Sequence, residues 1–191
     1  MVVGQELGDG RRVIVRLAAY ADAAAIAATE RATSGTPGLL VGRPGEIPLE
    51  AYAAKIRELS TRGRYVVAEL DGHVIGHAFL DPFEMIANAH VFRLTVVVHP
   101  GHVGRRIGRT LLDDLLAWGA TDPRVGKVEL LVRATNDRAM HLYRAVGFLE
   151  EGRFRQRVRL PDGSFVDDIA MAWFPNRAPV DREPGAPAKP E

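Results

Sequence analysis

Two stretches of the chain carry residue types that do chemistry when they are brought together. The first, residues 99–114, reads HPGHVGRRIGRTLLDD. A proline turn leads through spaced glycines and three arginines into an apolar run at helical spacing. Where a strand hands over to a helix, several backbone N–H groups lack partners and the helix N-terminus carries partial positive charge. Such a junction is an anion site. Gly104 and Gly108 let the backbone approach a ligand with no Cβ in the way, and Arg105, Arg106 and Arg109 add point charge. A diphosphate suits it. A solvated arginine face behind a plain turn is the alternative reading of the same residues. Two familiar nucleotide loops are excluded, because neither G-x-x-x-x-G-K-[ST] nor G-x-G-x-x-G occurs.

The second stretch holds Asn136 and Tyr143. Seven residues apart on one helix, they lie two turns apart on the same face. Alone, the pair reads equally as a helix cap and a rim tyrosine whose hydroxyl finds water.

The elements that must position these residues follow from periodicity. Val13–Leu17 reads as a first strand after Asp9-Gly10. Ala18–Ala32 is alanine-rich around Ile26, with Asp22 near its start, and reads as a helix. Ser34–Pro48 holds four glycines and three prolines and reads as a loop. Pro48 suits the first turn of a second helix through Leu49, Tyr52, Ile56 and Leu59. Tyr65–Leu70 and His73–Leu80 flank Asp71-Gly72, a two-residue hairpin signal. Asp81–Ala89 reads as a loop, and Val91–Val98 as a central strand ended by Pro100. A helix starting near Gly104 presents Ile107, Leu111, Leu112, Leu115 and Leu116 on one face. Lys127–Val132 is the next strand. Thr135-Asn136-Asp137 can cap a short helix with Ala139, Leu142, Tyr143 and Val146 inward, and Gly147 ends it. Leu149–Leu160 and Ser164–Phe174 form a last hairpin around Pro161-Asp162-Gly163. The expected order is β-α-α-β-β-β-α-β-α-β-β. It describes one α/β domain of α+β type, with a central mixed, mostly antiparallel sheet flanked by helices.

Bulk properties bound the rest. The 191 residues suffice for one domain with a core, 47% are hydrophobic and 26% charged, and formal net charge is +1. Near-zero net charge gives no reason to expect nucleic acid, so an anion site has to be local. No cysteine is present, which excludes disulfides, a thiol nucleophile and thiolate metal sites. The six histidines show no metal-ligand spacing. No signal peptide and no membrane-length apolar run is visible, so the expectation is a cytoplasmic protein without a membrane partner. The proline- and alanine-rich segment 175–191 is expected to be a disordered tail.

Taken together, VVVHPGHVGRRIGRTLL and NDRAMHLYRAVGFLEEG resemble the GCN5-related N-acetyltransferase (GNAT) superfamily. That family carries N-x-x-A-x-x-x-Y-x-x-x-G-F, complete here as Asn136, Ala139, Tyr143, Gly147 and Phe148. Its other motif, [RQ]-x-x-G-x-[GA], maps onto Val103, Gly104, Arg105, Arg106, Ile107 and Gly108. Val103 replaces the leading Arg or Gln, Arg106 replaces the middle glycine, and Gly108 holds. The resemblance spans residues 11–174.

It implies acetyl-CoA as acyl donor and no metal. The diphosphate is expected on residues 103–109, and the pantetheine arm beside the backbone of Val96, Val97 and Val98. Asn136 and Tyr143 complete the coenzyme site. Tyr143 is the implied general acid. The strand glutamate that often serves as base in this family is Arg93 here, which leaves Glu84 or His90 as candidate bases. His99 and His102 fall close to the phosphates. The acceptor, a primary amine of a small molecule or protein, is expected among residues 34–48, 81–89 and 154–165. Alternation puts Arg153, Arg155, Arg157 and Arg159 on one face of the last. A homodimer is compatible with the resemblance. A non-catalytic acyl-CoA-binding regulatory module on the same fold is the rival function.

Overall fold

The chain opens with β1 (Val3–Glu6) and turns back into β2 (Arg12–Leu17), with Val3 opposite Val15 and Glu6 opposite Arg12. Four residues with a glycine and two polar side chains carry no alternation, which is why the sequence does not announce β1. The sheet therefore begins ahead of residue 11. Ala18 and Ala19 stay outside the helix, and a short 3₁₀ turn at Tyr20–Asp22 precedes α1 (Ala23–Ser34). The delay has a cause. Asp22 accepts a bidentate pair from Arg16 at 2.7 and 2.9 Å and the amide of Ala19 at 2.7 Å, which holds the chain extended up to the turn.

Pro48 stands in extended conformation immediately before α2 (Leu49–Arg62). The hairpin of β3 (Arg64–Leu70) and β4 (His73–Pro82) turns on Asp71 (φ 51°) and Gly72 (φ 80°), the paired positive angles of a type I′ turn. There follow β5 (Val91–Val98), α3 (Ile107–Thr121), β6 (Lys127–Arg133), α4 (Asp137–Ala145), β7 (Leu149–Arg159) and β8 (Phe165–Trp173). These elements come from a computed structural model describing residues 3–8, 10–36 and 45–175. The expected tail beyond 175 and most of the loop between the first two helices lie outside the described residues.

The strands form one sheet in the order β1-β2-β3-β4-β5-β6-β8-β7. Every neighbouring pair is antiparallel except β5 and β6, which are joined by the crossover helix α3. The helices cover both faces. On one, α3 buries Ile107, Leu111, Leu112 and Leu115, and Met140 of α4 and Phe148 join the same core. On the other, Ile26 of α1 and Tyr52, Ile56 and Leu59 of α2 pack on Tyr65 and Val67. Asp114 sits on the inward stripe of α3, where the sequence suggested only leucines. It is buried because Arg64 of β3 meets it at 2.8 and 3.1 Å, tying the helix to the sheet. Among the described residues, no helix is long and apolar enough to cross a membrane.

The last hairpin departs from strict alternation. Its register shifts between Phe154 and Val158, and Gln156 takes φ 52°. The four arginines therefore do not form one regular face. Arg157 lies over the Phe154 ring at 5.9 Å, a contact between residues an odd number apart that an unbroken strand does not allow. Arg153 is paired with Asp167 at 2.6 Å, while Asp168 forms a buried ion pair with Arg133 of β6.

Candidate active site

The parallel ladder between β5 and β6 stops at Arg93 opposite Glu129. Past that point Leu94–Val98 has no ladder partner on the β6 side. The start of α3 and the inner face of α4 border the gap, making a groove of about 380 Å³.

Along its upper edge runs the loop between β5 and α3. His99 Nδ1 accepts the Gly101 amide at 3.2 Å, closing a 3₁₀ turn at Pro100–His102. Gly104 takes φ 98° and Arg106 takes φ 63°. The amide of Thr110 donates to Arg106 O at 3.0 Å as the helix gets under way. The amides of Ile107, Gly108 and Arg109 come before that bond, so they meet the donor side of an anion site. A Cβ on Gly104 would stand 3.4 Å from Arg138 Nη2, and one on Gly108 would stand 3.4 Å from Leu142. Space alone does not demand glycine at either position; the positive φ of Gly104 does so there.

Arg106 explains itself through its backbone. It holds the left-handed conformation that the family's glycine adopts freely, at a cost of about 1 kcal/mol. Its side chain lines the groove rather than blocking the loop's turn. The loop is also braced from outside. Gln5 of β1 donates to the carbonyl of Arg105 at 3.2 Å and accepts the hydroxyl of Thr110.

The opposite wall belongs to α4. Asn136 Oδ1 accepts the amide of Ala139 at 3.1 Å, so its cap bond starts the helix while the residue lines the groove. Tyr143 is half-buried, its ring 5.7 Å from that of Phe148. Burial pushes its phenol up to about 12, so the group stays protonated at any physiological pH.

Of the residues expected at the coenzyme, Val96, Val97, Val98, Val103, Gly104, Arg106, Ile107, Gly108, Arg109, Asn136 and Tyr143 line this groove. Arg105 does not; it lines a separate hollow with Gln5 and Glu6. Arg109 is engaged with Asp113 at 2.8 Å, which offsets its charge. Thr33, Arg138 and His141 line the groove without having been expected there. Arg138 was open to inspection within the second motif. Thr33, at the end of α1, left no local signal.

Neither candidate base is at the groove. Glu84 and His90 border a different hollow, with Pro123 and Arg124. His90 precedes β5, where its carbonyl accepts the amides of Gly126 and Lys127 at 2.8 and 3.1 Å. The groove is at the far end of that strand, and the seven residues from His90 to Val97 span roughly 23 Å of extended chain. The loop preceding a strand and the end of the strand are near in sequence and distant in space. Arg93, in the place of the usual glutamate, lies over the Phe83 ring at 4.7 Å.

Residues 39–148 match the model of the acetyltransferase (GNAT) family. The chain belongs to this family. Over 115 residues it is 39% identical to the N-alpha-acetyltransferase RimI of Mycobacterium tuberculosis, covering 56% of this chain and 66% of that protein. Over 103 residues it is 32% identical to the spermidine N(1)-acetyltransferase of Vibrio cholerae, covering 54% and 58%. The chain thus spans less than two thirds of the length of either relative. The fold has close counterparts. A ribosomal-protein-alanine N-acetyltransferase from Brucella melitensis superposes with a TM-score of 0.76 at 26% identity, covering 84% of this chain and 98% of that one. The yncA structure from Salmonella typhimurium, solved with acetyl-CoA, superposes at 0.77 with 19% identity, covering 90% and 98%. Among the described residues, the eight-stranded mixed sheet flanked by four helices is the GNAT fold.

Proposed function

We propose that the protein is an acetyl-CoA-dependent N-acetyltransferase acting on a primary amine. One observation carries the reading: the end of β5, the 103–108 loop and Tyr143 of α4 border a single groove. Acetyl-CoA supplies an activated acyl group as a thioester. The residues fit it in kind. Free amides at the start of α3 suit a diphosphate. The unpaired edge of β5 offers backbone donors and acceptors to an amide-bearing arm. The mostly apolar groove below suits the arm itself.

The roles of the chain's own groups follow from charge. Amides of β5 near Val96 polarise the acyl oxygen. Tyr143, neutral and half-buried, donates its proton to the departing sulfur. Burial disfavours the phenolate and the bare thiolate alike, so both ends of the proton transfer shift in the same direction. An amine acceptor is supported by relatives named as an N-alpha-acetyltransferase and a spermidine N(1)-acetyltransferase. We take the described chain as one transferase domain.

Calorimetry with acetyl-CoA, followed by a thiol-release assay with a panel of amines, tests the reading. Micromolar binding and amine-dependent release are expected. Absence of binding sinks it. Binding without release from any amine replaces it with a non-catalytic acyl-CoA-binding module.

A further inference from the structure

The reverse side of β5 holds a buried polar cluster that the coenzyme groove does not use. Glu30 of α1 accepts the hydroxyl of Tyr52 of α2 at 2.5 Å. Its other carboxylate oxygen lies 3.7 Å from Nε2 of His77 on β4. His77 is fully buried, its Nδ1 is 3.1 Å from the hydroxyl of Tyr65 on β3, and its Nε2 has no hydrogen-bond partner. A hydrophobic layer between helices and sheet needs none of these groups. Leaving a buried nitrogen unpaired costs roughly 1–3 kcal/mol, which calls for an explanation.

Position supplies one. His77 is the ladder partner of Val97, so the cluster sits on β5 at the level of the groove. Val96 and Val98 pack on the α3 side, whereas His77 and Glu30 lie on the α1 side. Glu30 is one helical turn before Thr33, which lines the groove and reaches the carbonyl of Val98 at 3.4 Å. The Glu30 side chain is 16% exposed, so the carboxylate is sheltered but not sealed. Tyr143 thus stands on one side of the β5 terminus and a carboxylate on the other. The strand itself offers no base, since Arg93 occupies that place.

We propose that Glu30, held by Tyr52 and flanked by His77, accepts the proton of the acceptor's ammonium group. The inference rests on the acetyl-transfer reading. Glu30 takes one proton from the ammonium, and the freed nitrogen forms a bond to the acyl carbon. The carbon–sulfur bond breaks with its electron pair on sulfur, and sulfur takes the proton of Tyr143. The second nitrogen proton returns through solvent to the tyrosine, and Glu30 releases its proton to water. Acetyl-CoA and an alkylammonium become an amide, a free thiol and one proton. The need is real: an amine of pKa about 10.4 is neutral about once in ~2,500 molecules at pH 7.

The groups facing Glu30 favour this role. Burial raises its pKa, while the Tyr52 bond lowers it. Burial holds His77 neutral, at about 3. Tyr65 stays protonated, Arg31 is the neighbouring cation on α1, and β5 presents Val97. No fixed cation faces the carboxylate closely enough to form an ion pair among the described residues, which leaves it free for an ammonium. Tyr52 and His77 are positioning residues.

The test compares wild type, Glu30→Gln, Glu30→Asp and Tyr52→Phe by thiol release across pH 6 to 9.5, with amines that include spermidine, an amino acid and an alanyl peptide. Glu30→Gln should lower kcat/KM for the preferred amine at least tenfold at pH 7. The loss should shrink toward pH 9.5, and acetyl-CoA binding should stay within about twofold. Tyr52→Phe should move the acidic limb of the profile to higher pH. Glu30→Asp should keep the limb and lower kcat. Equal kcat/KM and an unchanged profile in Glu30→Gln overturn the assignment and leave acetyl transfer standing. Should Glu30→Gln fail to fold, an unmoved acidic limb in Tyr52→Phe overturns it. A wild type that binds acetyl-CoA yet releases thiol with no amine overturns the acetyl-transfer reading itself.

Discussion

The two sides of the β5 terminus are built from different materials. On the α3 side the groove is backbone and apolar surface: Val96 and Val98, the amides opening α3, and glycines at 104 and 108. On the α1 side the same strand meets four titratable side chains in two hydrogen-bonded pairs, Glu30 with Tyr52 and His77 with Tyr65. Backbone recognition asks for a conformation, and any residue able to adopt it will serve. Hence Arg106 stands where the family has glycine, and Val103 stands where it has Arg or Gln. Side-chain recognition asks for particular atoms at particular distances, so substitution there should cost more than a change that leaves the backbone conformation in place. Tyr143 is the exception on the first side, since the role proposed for it lies in its phenol.

That contrast can be broken most sharply at the exception. Tyr143→Phe should lower turnover by about a hundredfold or more, the range expected for a lost general acid, with acetyl-CoA affinity unchanged within about twofold. Equal turnover in a steady-state assay would place the acid elsewhere.

The polar side should also be the pH-sensitive one. Burial depresses His77 to about 3 in the folded protein. Below about pH 6.5 the unfolded chain binds a proton that the folded chain refuses, so stability is full above that value and falls as pH drops. The expected slope is about 1.4 kcal/mol per pH unit. Glu30 opposes it just above its ordinary range, because its raised value lets the folded state keep a proton the unfolded state has released. His77 is therefore read in the window just below about pH 6.5, on the alkaline side of the carboxylate range. Urea melts of wild type and His77→Leu across it should give a sloped and a flat line.

On the coenzyme side, Gln5→Ala removes the brace on the loop without touching the ligand. One net hydrogen bond is worth about 1 kcal/mol, so acetyl-CoA affinity should fall about fivefold by calorimetry. The smallest effect belongs to Arg106→Gly. Relief of a left-handed arginine should raise stability by up to about 1 kcal/mol, with affinity moving less than for Gln5→Ala. A larger loss of affinity would mean that the arginine side chain, and not the turn it occupies, holds the ligand.

Much of this was open to reading along the chain. Hydrophobic period and turn residues located eleven of the elements, because Asp71-Gly72, Pro100, Asn136 and Gly147 mark their own boundaries. The motif at 136–148 pointed to the family because its residues are gathered on and just after one short helix. The failures are instructive in the same terms. β1 has no pattern of its own and exists because β2 offers an edge. The arginine face was lost to an irregularity at Gln156, which Asp167 holds by accepting that residue's amide at 2.7 Å.

What local sequence decides here is therefore whatever is governed by neighbours within a turn or two: helix caps, hairpin turns, the left-handed loop and the helix bearing Tyr143. What only the folded chain decides is which side chains from distant segments meet. Glu84 and His90 lie close to β5 in sequence and at its wrong end in space. Glu30 is 67 residues before Val97 and three residues before Thr33, which lines the groove. Strand pairing is the reason: placing His77 beside Val97 also places against them the helix that follows β2, and no local period records that meeting.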